Sequence, residues 1–133
     1  MHQKSLLETS SRYPYEVIIS IFLLLLIAFD SYSQRQTQNW YFGRNAGLSF
    51  VATPPTSLLD GALNTFEGCA TFSDNQGNLL FYTDGMNVFD KNHQRMPNGS
   101  GLMGNPSSAQ SGIIVPNSSS PSKFYVFTVD AEG

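Results

Sequence analysis

Short apolar runs alternate with polar turn residues along most of this chain. Seven runs are rich in aromatic and β-branched side chains, and Gly, Asn, Asp, Ser or Pro residues bound each of them. No helical period appears in this part of the chain. Runs of this length and composition are typical of strands in an all-β protein. The pattern therefore predicts an all-β fold, with strands at 39–43, 47–50, 69–73, 79–83, 86–90, 112–116 and 123–129.

Residues 68–97 predict a four-strand antiparallel meander, with strands at Cys69–Ser73, Leu79–Thr83, Met86–Asp90 and Gln94–Met96. The first two strands are almost continuously apolar and the last is mostly polar, so we expect burial to fall along the meander. A blade of a β-propeller has this gradient, because its inner strands lie between neighbouring blades and its outer strand meets water.

Two of the turns that connect strands of the meander have characteristic residues. Asp74 and Gly77 lie in the first, and Asp84 and Gly85 join the next pair of strands directly. Asp-Gly tolerates positive φ angles, which favours a tight type I′ hairpin at that position. We therefore interpret these four residues as structural turn residues.

A second copy of the first hairpin follows 44 residues later, since the segment from Gly68 to Asp84 aligns with the segment from Gly112 to Asp130. Propeller blades repeat at about 40–50 residues. The pattern predicts a partial β-propeller of about one and a half blades over residues 34–133. Because a propeller typically needs about 4–8 blades, we expect this domain to be incomplete and truncated at the C-terminus.

The N-terminal 33 residues have a different character. Val17 to Phe29 form an apolar run of 13 residues that follows Lys4 and Arg12. Such a run is too short to cross roughly 30 Å of hydrocarbon comfortably, so we predict a signal- or transmembrane-like helix within a signal peptide at 1–33.

The small residues Ser31 and Ser33 have the spacing that a signal peptidase reads, so cleavage would leave Gln34 as the new N-terminus. Glu8 and Glu16 weaken the positive flank of the segment, which keeps a retained N-terminal membrane anchor open as an alternative.

Charge and cysteine content narrow the classes of partner. Residues 34–133 carry five basic and seven acidic side chains, a net charge of −2. This balance argues against nucleic acid or an anionic membrane surface as a partner, because both need a basic face. We expect membrane contact only through the N-terminal segment. The single cysteine, Cys69, cannot form an internal disulfide.

Three patterns could carry chemistry, and each has a structural interpretation. A nucleophilic cysteine needs a nearby base, but His93 is the only histidine after the signal segment, so we interpret Cys69 as a small buried residue between blades. Asp74, Asn75, Gly77 and Asn78 suggest calcium, because oxygen ligands at alternating positions suit it, although the same residues form hairpin turns without a ligand. Paired carboxylates can hydrolyse glycosides, but no pair is placed at a working distance. We therefore predict no catalytic residues, no metal and no cofactor.

Two long connections, 52–67 and 97–111, are better candidates for a binding function, because long loops on a rigid scaffold often bind ligands. Each enters an inner strand of a blade, which predicts that both lie on one face. Their polar side chains give the candidate binding residues for an extracellular polysaccharide or protein: Asp60, Asn64, Glu67 and Asn98.

Three segments carry a family resemblance: "QNWYFGRNAGLSF", "LLDGALNTFEGCATFSDNQGNLLFYTDGMNVFDKNHQRMPNGSGLMGN" and "SSAQSGIIVPN…KFYVFTVD". They resemble the N-terminal β-propeller-like region of large secreted proteins of gliding and related Gram-negative bacteria. Those proteins often carry PKD repeats and a gliding-motility-associated, type IX secretion sorting domain at the C-terminus. The resemblance implies export and display on the cell surface, or release.

The sequence thus predicts an exported, non-enzymatic cell-surface or secreted protein for adhesion, scaffolding or recognition of an extracellular polymer. One alternative is the N-terminal module of a secreted, glycosidase-like hydrolase whose catalytic residues lie in missing blades. Another is a protein anchored in the inner membrane and facing the periplasm.

Overall fold

The computed structural model describes residues 15–27 and 32–131. The chain divides into two compact units, Met1–Ser31 and Tyr32–Gly133. Several predicted features lie outside the described residues: the flank with Lys4, Glu8 and Arg12, the end of the apolar run at Phe29, Ser31 of the cleavage site, and the C-terminal Glu132 and Gly133.

In the first unit, a 13-residue α-helix, α1 (Tyr15–Ile27), covers most of the predicted apolar run. Within the described residues, the helices are too short or too polar to cross a membrane. The roles of signal peptide and of membrane anchor stay predictions.

The second unit is built from strands after one short 3₁₀ helix, Tyr32–Thr37. Its described strands are β1 (Asn39–Phe42), β2 (Ala46–Ser49), β3 (Thr56–Leu58), β4 (Ala70–Ser73), β5 (Leu79–Thr83), β6 (Asn87–Asp90), β7 (Arg95–Ser100), β8 (Gly112–Pro116) and β9 (Phe124–Thr128).

These strands form three antiparallel sheets. The first sheet has the order β1-β2-β3, the second β4-β5-β6-β7 and the third β8-β9. The predicted all-β fold and the four-strand antiparallel meander are confirmed. Burial is greatest on β5 and falls to the mostly exposed β7, which agrees with the predicted gradient.

The second sheet lies between the other two, and β5 contacts both of them because its successive side chains point to opposite faces. The Tyr82 ring stacks on the Tyr41 ring of β1, with centroids 4.8 Å apart. The Phe81 ring meets the Phe124 ring of β9 edge-on at 5.1 Å. Tyr41, Leu63 and Tyr82 form the buried centre of the core. Strand β5 is thus covered on both faces, as its continuous apolar character predicts.

The main contacts between sheets join their first strands. Strand β4 contacts β1 on one side and β8 on the other. The Thr71 hydroxyl of β4 accepts a hydrogen bond from the Tyr41 amide at 2.9 Å, which fastens β1 to β4. The first strands of three successive sheets therefore lie next to one another in chain order.

Three local predictions were wrong. The predicted loop 52–67 contains strand β3, and the predicted loop 97–111 begins only after β7 has ended at Ser100. The β5–β6 hairpin is not type I′: the Asp84 amide bonds the Asn87 carbonyl across Gly85 and Met86, and only Gly85 of those residues has positive φ, at 83°. A type I′ turn needs positive φ at both central residues.

Candidate functional site

Four side chains meet between the first and second sheets, and we name them the Asp60 cluster: Tyr41, Asp60, Tyr82 and His93. The Tyr41 hydroxyl donates to Asp60 Oδ1 at 3.0 Å. The His93 Nε2 lies 3.3 Å from Asp60 Oδ2, and the Tyr82 hydroxyl lies 3.0 Å from His93 Nδ1. Both oxygens of the Asp60 carboxylate therefore have partners.

Proton positions in this cluster follow from the surrounding donors. The Tyr82 hydroxyl accepts a hydrogen bond from the Ala62 amide at 3.0 Å, so its own proton is free to be donated to His93 Nδ1. In the neutral imidazole the remaining proton is then on Nε2, facing Asp60. Every polar atom of the cluster is satisfied by this arrangement.

Local backbone geometry positions each member. Tyr41 and Tyr82 lie in β1 and β5, with their rings in the core. His93 has φ of 61° in the turn after β6, where Asp90 Oδ1 accepts hydrogen bonds from the Asn92 and Gln94 amides at 2.9 Å each. Aspartate commonly caps a turn in this way.

Electrostatics set the protonation of the tyrosines. Burial raises the pKa of Tyr41 well above its ordinary value, and the hydrogen bond and negative charge of Asp60 raise it further. Burial also raises the pKa of Tyr82. Both hydroxyls are thus held protonated at neutral pH. The Asp60 side chain is 58% exposed, so the cluster presents one carboxylate to solvent.

The loop that follows β3 is fastened along its length. The Asn45 side chain donates to the Gly61 carbonyl at 2.6 Å, and the Asn45 amide donates to the Leu63 carbonyl at 2.8 Å. A Cβ atom at Gly61 would lie 2.7 Å from Tyr41 Cδ1, so only glycine fits beside that ring. The loop is consequently ordered by the core rather than free.

The same loop pairs with the loop after β7. The Phe66 and Glu67 amides both donate to the Pro106 carbonyl at 3.2 Å, and the Gly68 amide donates to the Ser108 carbonyl at 3.0 Å. The two connections therefore lie side by side where residues 66–68 meet Pro106 and Ser108.

An exposed surface stands on this paired-loop edge, and we name it the rim patch: Arg44, Asn64, Phe66 and Glu67. The Arg44 guanidinium lies 4.9 Å from the centre of the Phe66 ring, which is 69% exposed. Arg44 and Asn64 also form a backbone bridge. The patch combines a cation, an aromatic face, an amide and a carboxylate.

The four candidate binding residues do not form one site. Asn64 and Glu67 are both in the rim patch. Asp60 lies in the Asp60 cluster, where it contacts Tyr41 and His93. Asn98 lies in the edge strand β7 with φ of 58°, rather than in a loop.

Sequence reasoning missed Tyr41, Tyr82, His93, Arg44 and Phe66. A tyrosine inside an otherwise apolar strand needs a partner for its hydroxyl when it is buried, and that requirement points to Tyr41 and Tyr82 without naming their partners. The partners come from turns distant in the chain, which no local pattern reveals.

The residues interpreted as turn residues lie in turns. Asp74 Oδ1 accepts hydrogen bonds from the Gln76 and Asn78 amides at 2.9 Å each, and the bond from the Asn78 side chain lowers the pKa of Asp74 most. Gly77 has φ of 89°. Asp84 is buried, and its Oδ1 accepts from the Asn87 amide at 2.6 Å.

Cys69 lies just before β4, half-buried against the core. It lines a cavity of about 250 Å³ together with Trp40, Tyr41, Phe42 and Thr71. Burial raises the pKa of its thiol, and the charge of Asp84 adds to that effect. A raised pKa lowers the fraction of reactive thiolate. Among the described residues, no three His, Cys, Asp or Glu side chains are grouped closely enough to hold a metal ion.

Comparison with known proteins gives no further identification: no family model, no curated protein and no solved structure matches this chain.

Proposed function

We propose that this chain is an exported, non-enzymatic recognition module of β-propeller-like build, which binds an extracellular polysaccharide or protein in adhesion or scaffolding at the bacterial cell surface. The propeller interpretation is supported by the adjacency of β1, β4 and β8, since inner strands of successive blades converge on the axis of a propeller.

The repeated hairpin adds support for blades. Asp74 opens the turn of the β4–β5 hairpin by accepting from the Gln76 amide, and Asn117 opens the turn of the β8–β9 hairpin by accepting from the Ser119 amide at 2.8 Å. Asn117 follows Asp74 by 43 residues, one position short of the 44-residue spacing, and both side chains accept a hydrogen bond from the amide two residues later.

The rim patch is the observation that carries the binding proposal. Its exposed Phe66 offers an apolar face that can stack on a sugar ring or an apolar side chain, while Arg44 and Glu67 offer charged hydrogen-bonding groups beside it. Backbone hydrogen bonds to the carbonyls of Pro106 and Ser108 join the two loops beneath the patch to each other. Because the loops are already ordered, little conformational entropy is lost when a ligand binds.

Export is proposed on the apolar helix α1 and the serines that follow it. Mass spectrometry of the product from a Gram-negative host tests this step. A start at Gln34 supports a cleaved signal peptide, and a chain that keeps residues 1–33 in the inner-membrane fraction contradicts it.

The binding proposal is tested by applying the exported product to arrays of bacterial and plant polysaccharides and of extracellular proteins. We expect retention on at least one class of polymer, and loss of roughly tenfold or more in affinity for Phe66→Ala and Glu67→Gln. Val51→Ala is the matched control, because Val51 is also an exposed apolar residue (68%) but lies outside the rim patch.

A glycosidase panel run on the same product addresses the hydrolase alternative. Turnover of any polysaccharide would contradict a non-enzymatic role. Binding that is unchanged in both rim-patch variants would move the recognition surface away from the rim patch.

A further inference from the structure

The rim patch holds a positive charge that is not paired with a carboxylate. Among the described residues the ion pair joins His93 to Asp60, and Arg44 has no carboxylate partner. The Arg44 guanidinium lies instead over the Phe66 ring, 4.9 Å from its centre. A guanidinium in this position is attracted to the ring, while its N–H donors remain available for hydrogen bonds. Arg44 is therefore placed to bind an anion from outside the chain.

The backbone fixes where this guanidinium stands. Arg44 and Asn64 form an antiparallel bridge. Two backbone hydrogen bonds flank the bridge, from Asn45 to Leu63 at 2.8 Å and from Thr65 to Gly43 at 3.1 Å. A pair that is flanked in this way is a non-hydrogen-bonded pair, whose side chains lie on one face and close together. The guanidinium of Arg44 and the amide of Asn64 therefore share one face of the rim patch.

Phe66 adds an apolar surface beside these polar groups. Its ring is 69% exposed, although Arg44 lies over it. The face of an aromatic ring carries negative charge density, which attracts the C–H groups on the face of a sugar ring. One sugar ring matches the area of one phenyl ring, whereas a stable protein interface usually buries about 800 Å² on each partner. The single aromatic ring of the rim patch therefore favours a sugar over a protein surface.

Glu67 gives the patch a second charge, of opposite sign. The residue is exposed, and its amide donates to the Pro106 carbonyl at 3.2 Å. A carboxylate accepts hydrogen bonds from hydroxyl groups and repels another carboxylate. A sugar that carries one carboxylate is therefore oriented with that group toward Arg44 and with hydroxyls toward Glu67. A neutral sugar leaves the guanidinium without an anion to bind.

We propose that the rim patch recognises a uronate, a sugar ring with a carboxylate, within an extracellular polysaccharide. Phe66 stacks on the ring, Arg44 donates two hydrogen bonds to the carboxylate, and Asn64 and Glu67 bind hydroxyls. The planar guanidinium matches a carboxylate in a bidentate arrangement that a lysine cannot provide. This inference rests on the proposed binding function of the rim patch and narrows it to one class of ligand.

The affinity must come from these local contacts. Residues 34–133 carry a net charge of −2, so a polyanion gains no general attraction to the chain. Dextran sulfate is densely charged but has no carboxylate, and we therefore expect it to bind more weakly than a polymer that contains uronate.

Isothermal titration calorimetry of the exported product tests the proposal with matched polysaccharides. The probes are polygalacturonate, hyaluronan and xanthan, each compared with the same polymer after reduction of its carboxylates to alcohols. We expect at least one of the three acidic polymers to bind. Its reduced form should bind roughly tenfold more weakly or worse, because reduction removes the partner of Arg44. This comparison uses the wild-type chain and needs no variant.

Substitutions separate the two contacts. Arg44→Gln should bind the acidic and the reduced polymer equally, and Arg44→Lys should restore only part of the preference because it lacks the planar fork. Phe66→Ala should weaken binding of both forms by roughly tenfold or more. Arg95→Gln is the matched control, because Arg95 is an exposed arginine of β7 outside the rim patch and the same charge is lost. Circular dichroism verifies that each variant folds.

The outcomes distinguish this inference from the proposed function. Equal affinity of the wild-type chain for acidic and reduced polymers overturns the uronate assignment, while loss of that binding in Phe66→Ala keeps the rim patch as a binding site. Tighter binding of dextran sulfate assigns the anion to sulfate and also overturns it. A preference for the acidic form that survives Arg44→Gln moves anion recognition to another residue. Binding to no polysaccharide and no protein removes the proposed function together with this inference.

Discussion

The ring of Tyr41 lies parallel to that of Tyr82, with centroids 4.8 Å apart and planes inclined by 15°. These residues come from different sheets, and their hydroxyls reach the two ends of one network through Asp60 and His93. The stack therefore couples packing between sheets to a set of partly buried polar contacts. Substitutions can remove the hydroxyl contacts while keeping the ring stacking.

Replacing Tyr82 by Phe should keep the stack and remove the hydroxyl. The Ala62 amide would then lose its acceptor in a place where Tyr82 is fully buried. We expect the free energy of unfolding, measured by urea titration, to fall by about 1–3 kcal/mol. Tyr125→Phe is the control, since the Tyr125 hydroxyl contacts only the exposed Asn117 side chain among described partners, and an equal loss there would contradict the argument.

Alkaline pH should unfold the chain through Tyr41. Its pKa is raised above the ordinary value of 10.0, so the folded state holds the proton more tightly than the unfolded state does. The resulting stability is fully present below about pH 10 and is lost as the pH rises through the folded value. We expect the urea midpoint of the wild-type chain to fall as the pH rises above about 10. Tyr41→Phe should make this fall with pH smaller, because it removes the titrating hydroxyl. A slope unchanged by the substitution would assign the effect elsewhere.

Acid should act through Asp74. Its pKa is lowered, chiefly by the hydrogen bond from the Asn78 side chain, so the contribution is present above the ordinary value of 3.8 and is lost as pH falls through the folded value. Asp74→Asn keeps an oxygen acceptor for the turn and removes the titration. When the pH is lowered from neutral to below 3.8, the ordinary pKa of an aspartate, the urea midpoint of the variant should therefore fall less than that of the wild-type chain. An identical acid profile in both proteins would refute this assignment.

Gly85→Ala should be more costly than Gly101→Ala. Both glycines have positive φ, 83° at Gly85 and 79° at Gly101. A Cβ atom added at Gly85 would overlap the Ser111 carbonyl, whereas a Cβ atom added at Gly101 would have no heavy atom of the other described residues within 4 Å, apart from its neighbours in the chain. We expect a loss of about 1 kcal/mol for Gly101→Ala from backbone conformation. Gly85→Ala should lose about 1–3 kcal/mol more from overlap, as measured by thermal and urea unfolding.

The Cys69 thiol should react slowly with iodoacetamide in the folded chain. Burial raises its pKa, so little thiolate is present at neutral pH. Mass spectrometry should show alkylation accelerating when denaturant is added. A folded chain that reacts as fast as the denatured one would indicate an activated cysteine.

The strands that bury apolar side chains could be predicted from the sequence, because alternation and turn residues are local signals. Strand β3 was missed since its three residues, Thr56–Leu58, follow two prolines and carry little apolar character. The predicted strand Gln94–Met96 ended too early, since β7 continues to Ser100, because the sequence "PNGS" is typical of a turn. An edge strand tolerates Pro97 since its missing amide is not needed for pairing, and the register shift between β6 and β7 accommodates the chain there.

The sites were harder to predict than the strands. Asn64 and Glu67 were found as polar loop residues, yet their neighbours Arg44 and Phe66 were missed because only the paired loops bring them together. His93 looked like one polar residue in a turn. Its significance depends on Asp60, 33 positions earlier, which approaches only when β1 packs on β5.

Phe81 and Tyr82 are consecutive residues, and each forms a different junction between sheets. A slip of β5 by one position would exchange them, placing a phenyl ring where the network needs a hydroxyl and a hydroxyl among Phe72 and Phe124. The register of this one five-residue strand therefore determines the packing of the second sheet against both of the others. An error in this register would therefore disrupt both junctions between sheets at once.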